Sequence, residues 1–192
     1  KVHPNPTVML TSEALADKPE LALSVATILG RAAWLEQQTN MLLRYILGAG
    51  ATAAFAMFEK LEAASVKRDV ILAAASEALK GERLQMFEAT FLVIQNAQKP
   101  RHAIAHHIWA TCPELPNTLL LADPKRMRLR EDKHGAMFHK RHKKGETFDA
   151  NEWVDLTSWD HSAIAVYTSN DFRRILEDLR EAQDAAFLLR TY

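Results

Sequence analysis

Pro100-Arg101-His102-Ala103-Ile104-Ala105-His106-His107-Ile108-Trp109 is the stretch on which the reading of this chain turns. It follows a long helical pattern and sets an arginine and a histidine five positions apart, with a second histidine beside the arginine. Five residues are about one and a half helical turns, so Arg101 and His106 fall on different sides of a helix. They either line one cleft from two directions or meet their counterparts across a two-fold axis. A guanidinium that is always charged and an imidazole that titrates near neutrality are together equipped for metal-free phosphodiester chemistry.

Outward from this stretch, the pattern is helical on the N-terminal side. Asp17 and Pro19 are a cap and a first-turn proline. They open a helix whose apolar stripe is Leu21, Val25, Ile28, Leu29, Ala32, Leu35, Leu42, Leu43 and Ile46, ended by Gly48 and Gly50. A second helix carries Phe55, Phe58 and Leu61. Ser65 caps a third with Val66, Val70, Ile71, Ala74 and Leu79, stopping at Gly81. A fourth runs from 82 to about 98 with Leu84, Phe87, Phe91, Leu92 and Ile94 inward. Pro100 disfavours helix at Lys99, so a bend is expected there, with the helix restarting through 101–109.

The C-terminal side is different. Pro113 and Pro116 break the helix, and 119–121, 127–129 and 163–167 read as short strands, the first two around a turn at Asp123-Pro124. Residues 130–150, with Gly135 and Gly145, read as a charged loop. Thr168 and Asp171 have capping-box spacing and open a last amphipathic helix through Phe172, Ile175, Leu176, Leu179, Ala186 and Leu189. The expected fold is mostly α: a helical bundle with a small β-hairpin and loop insertion before the last helix. The 192 residues suit one domain. It comprises an arm (1–18), core helices with the motif (19–110), the insertion (111–167) and a final helix (168–190).

Composition bounds the function. The 24 basic and 24 acidic residues cancel, which argues against a general nucleic-acid coat protein. Yet residues 125–144 hold nine Lys/Arg against two acids, +7 in one stretch, leaving the remainder at −7. Such a block is either a solvated loop or a surface for a polyanion. Its candidate RNA contacts are Lys125, Arg126, Arg128, Arg130, Lys140, Arg141, Lys143 and Lys144. The single cysteine, Cys112, permits no internal disulfide, which fits a reducing cytoplasm. No secretory leader is visible and no apolar run approaches the ~20 residues of a membrane span. Neither a phosphate-binding loop nor a dinucleotide fingerprint occurs, and no cofactor is expected. His134, His139 and His142 are too loosely spaced, without a nearby cysteine, to be assigned to a metal. Adjacent His106 and His107 point apart. Trp34 reads as core or dimer interface, and Glu36 as one of several acids able to accept from Arg101. Trp153 and Trp159 read as anchors of the β excursion.

On these residues the chain resembles the HEPN superfamily, helical bundles of prokaryotic toxin, antiviral and RNA-processing systems. The points of resemblance are Arg101, a polar residue just after it in His102, the Ala105-His106 step, and the placement of the run after a long helix. They cover roughly 20–110 and 168–190. In place of a tyrosine shortly after the histidine, which some members carry as a target of inactivating modification, this chain has His107-Ile108-Trp109. The resemblance implies a metal-independent endoribonuclease that leaves a 2′,3′-cyclic phosphate. Arg101 would hold the phosphate, His106 would transfer protons and His102 would support them. It also implies a homodimer and, in toxin–antitoxin or antiviral settings, a partner protein such as an antitoxin. The alternatives are a non-catalytic module binding a protein or nucleotide, and an RNA-binding protein acting through 125–144.

Overall fold

The computed structural model describes residues 7–144 and 161–190, with the backbone alone at 129–135, 138, 142 and 161. Pro4 and Pro6 of the arm, Gly145 with the rest of the loop to 150, and Trp153 and Trp159 lie outside the described residues. The fold is mostly helical with a small antiparallel sheet. The chain divides into two compact units, Lys1–Ser24 with His102–Phe172, and Val25–Arg101 with Arg173–Tyr192.

The second unit is all helix. It contains most of α1 (Pro19–Leu47), α2 (Thr52–Glu59), α3 (Ala64–Ala78), most of α4 (Glu82–His106) and most of α6 (Ser169–Leu189). The α1 stripe is buried as its spacing predicts at Val25, Ile28, Ala32, Leu35, Leu42 and Leu43. Ile175, Leu179, Ala182 and Ala186 form the matching stripe of α6. Polar bonds tie these two helices together: Arg31 Nη1 donates to the Leu176 carbonyl (3.3 Å) and Gln183 Nε2 to the Arg31 carbonyl (3.2 Å). Farther along, Arg190 Nη2 donates to the Gln38 carbonyl (3.3 Å). Gly48 ends α1 at φ +78°, a conformation that a Cβ would strain. Ser65 is not the cap of α3; the N-cap is Ala63, two residues earlier, with no side-chain cap bond. Trp34 is 60% exposed, so it is not core.

The first unit is built on a four-stranded antiparallel sheet in the order β1 (Met9–Leu10), β2 (Ile108–Thr111), β3 (Thr118–Ala122), β4 (Ile164–Thr168). Met9 pairs with Thr111, Trp109 with Leu121, and Leu120 with Val166. β3 is central and buried at all five positions, which is why it reads as an unbroken apolar run. Val8, Ala110, Cys112 and Leu120 form a core cluster against which Ile164 packs. Cys112 Sγ donates to Glu114 Oε2 (3.0 Å), and the backbone N–H of Thr7 reaches the same carboxylate (3.3 Å). These bonds hold the Glu114 carboxyl down at about 2, chiefly through the thiol, while burial pushes the Cys112 thiol up.

Several expectations are corrected. Residues 127–129 are not a strand, and 130–142 are not loop: both belong to α5 (Pro124–His142). The Asp123-Pro124 pair is a helix start. Asp123 Oδ1 accepts from the N–H groups of Lys125 (2.9 Å) and Arg126 (3.4 Å), and Pro124 occupies the first turn. Pro100 does not interrupt α4, which runs continuously to His106. Ile108 and Trp109 belong to β2 rather than to a helix. Part of the arm, Met9–Leu10, is a strand because β2 offers it a free edge. The Thr168–Asp171 capping box forms as expected. Thr168 N–H donates to Asp171 Oδ2 (2.8 Å), and Asp171 N–H donates to Thr168 Oγ1 (3.3 Å). No helix among the described residues is long and apolar enough to cross a membrane.

Candidate functional site

The end of α4 is fastened from within. Ile104 is fully buried. The Trp109 indole Nε1–H donates to the Ile104 carbonyl at 2.9 Å, and the His107 N–H donates to the Ala103 carbonyl at 2.9 Å. Two carbonyls of the last turn thus find donors. Trp109 serves both as the strand residue opposite Leu121 and as a brace for the helix that precedes it.

On this fastened turn, His102 and His106 lie four residues apart and therefore on one face. Their ring centroids are 4.8 Å apart, with the planes inclined at 51°. Both side chains are exposed. Arg101, the last residue of the all-helical unit's share of α4, is half-buried. Along α4 it falls in line with buried Ala97 and Ile94. Among the described residues, Arg101, His102 and His106 make no side-chain hydrogen bond or ion pair, and no ion pair joins Arg101 to Glu36. His102 is thus placed beside His106 on one face of the helix. The i, i+4 spacing carried that signal.

His107 turns elsewhere. It lines an open groove of about 570 Å³ with Leu10, Thr11, Ser12, Ile108 and Trp109, and its Nδ1 is buried with no partner among the described residues. The carboxyl of Asp123 lies below its usual range. The Lys125 N–H is the main cause, followed by that of Arg126 and then by the charges of His107 and Arg126. The groove beside His107 is not legible in the sequence, because Leu10 comes to line it only where β1 pairs with β2.

The basic block is helical. Lys125, Arg126 and Arg128 are exposed near the start of α5, and Lys140 is exposed near its end. Lys143 and Lys144 are exposed just beyond it, and Arg141 is half-buried. The side chain of Arg130 lies outside what is described. Fifteen residues of helix separate Lys125 from Lys140 by about 22 Å, so the described basic side chains fall towards the two ends of α5. Arg126 is partly committed: its Nη1 donates to the Ser162 carbonyl (2.8 Å) and its Nε lies 3.8 Å from Asp123 Oδ2. No group of three His, Cys, Asp or Glu residues able to hold a metal is found among the described residues. His139 is exposed, and only the backbone is described at His134 and His142.

No family model, curated protein or solved structure matches the chain.

Proposed function

We propose that this protein is a HEPN-type endoribonuclease that cleaves RNA without a metal and works as a homodimer. The observation that carries the reading is the pair of exposed imidazoles, without a side-chain partner among the described residues, at the braced end of α4 directly after Arg101. Neutral His106 takes the proton of a ribose 2′-hydroxyl. The freed oxygen attacks the adjacent phosphorus, and the bond from phosphorus to the 5′-oxygen breaks. The leaving oxygen takes its proton from a protonated His106 on the second copy. Arg101 neutralises the charge that builds on the phosphate oxygens, a task suited to a planar fork of donors. The products are a 2′,3′-cyclic phosphate and a 5′-hydroxyl. The five-residue spacing of Arg101 and His106, which turns them to different sides of a helix, favours a cleft assembled by two copies over one made by a single helix face. His102, beside His106, positions it.

In this reading α5 is the RNA-binding surface, through Lys125, Arg126 and Arg128 at one end and Lys140, Arg141, Lys143 and Lys144 at the other. A role in toxin, antiviral or RNA-stress responses in the cytoplasm, with a restraining partner protein, follows from the resemblance. The exposed basic rod also favours a second reading, an RNA-binding protein without turnover. Incubating the protein with a mixed RNA pool in EDTA and typing the ends separates the two. The nuclease yields cyclic-phosphate and 5′-hydroxyl ends; RNA that is retained but left whole assigns the function to α5 alone.

A further inference from the structure

We infer that His102 and His106 form a two-point binding site for a divalent transition metal of the zinc type. A metal about 2.0–2.1 Å from an imidazole nitrogen stands roughly 3.2 Å from the ring centre. Two such rings at ligand angles of roughly 90–110° have centres about 4.5–5.2 Å apart. The observed separation is 4.8 Å, and the 51° inclination of the planes is not that of a stacked pair. The separation of the ring centres therefore lies within the range that a shared metal requires. Neither ring is engaged by another side chain among the described residues, so no hydrogen bond has to break. Both are exposed, so water can complete the coordination shell. The helix beneath them is held by buried Ile104 and by the Trp109 indole, which limits the freedom lost when the cation binds.

The binding itself does not depend on the ribonuclease reading. A consequence for activity does rest on it: the metal takes the lone pair with which His106 would accept a proton, so occupancy silences cleavage and chelation restores it.

The test is a zinc titration of the metal-stripped chain, followed by NMR of the individual histidine imidazoles. His102→Ala and His106→Ala are measured alongside, and circular dichroism confirms the fold of each. The expected result is that the His102 and His106 signals shift together with one midpoint. Removing either should raise the midpoint of the other by roughly tenfold or more, since the second ligand acts at high effective concentration. Distinct midpoints for the two rings, or an unmoved midpoint in either variant, overturn the site. If the native protein cleaves RNA, zinc at the measured midpoint should halve the rate and EDTA should recover it. A protein that never cleaves leaves the binding result standing and removes only the regulatory consequence.

Discussion

At the scale of residues, two hydrogen bonds decide most: the one behind the turn that carries His106 and the one on Glu114. His106 is presented by a helix end that Trp109 braces through the Ile104 carbonyl. Replacing Trp109 by phenylalanine keeps most of the packing but removes that donor, so it should loosen the His102–His106 face before it unfolds the sheet. Glu114 joins the cysteine of the core to the first strand through the Thr7 N–H. Its folded-state carboxyl titrates at about 2, below an ordinary glutamate, so its contribution to stability is complete above about pH 4.5 and is lost as pH falls towards 2. Urea midpoints measured from about pH 5 down to about pH 2.5 should fall less steeply for Glu114→Gln than for the native chain. Parallel curves would show that the Cys112–Glu114 bond does not form in solution.

At the scale of elements, legibility followed how local the determining forces are. The α1 stripe was visible because burial repeats every three to four residues over about eight turns. The capping box of α6 was visible because two side chains three positions apart decide it. Thr168→Ala should lower stability by about 1 kcal/mol in urea unfolding, and no change would remove the capping role. β3 was legible as an apolar run, whereas β1 and β2 were not. Met9 and Leu10 become a strand only because residues about a hundred positions later provide an edge. The Asp123-Pro124 pair has the same composition in a turn as at a helix start. The choice was made by the Lys125 and Arg126 N–H groups, which meet the Asp123 carboxylate. Pro100 was read as a break, but only its own missing N–H and the crowding at Asn96 are affected, and α4 continues past it. A helical α5 also reshapes the basic block. Charge-neutral substitution of Lys140, Lys143 and Lys144 should weaken RNA binding and lower the salt dependence by about one unit of slope for each phosphate left without its lysine. An unchanged slope would place the RNA elsewhere.

At the scale of the whole molecule, the division of the chain falls within the motif: Arg101 belongs to one compact unit, and His102 and His106 belong to the other. The motif was legible as residue types in order, but the spacing alone left open whether one cleft or two copies would combine them. If two copies are required, an excess of His106→Ala chains mixed with native chains should suppress cleavage beyond simple dilution, whereas a purely additive loss would point to a monomeric site. The central claim is tested most directly by single-turnover cleavage of RNA in EDTA by the native protein, His106→Ala and Arg101→Ala. The expected result is cyclic-phosphate ends from the native chain, with losses of about 10²–10⁴-fold for His106→Ala and about 10²–10³-fold for Arg101→Ala, and no loss of fold in either. No cleavage by the native protein, or variants that cleave at its rate, would contradict it.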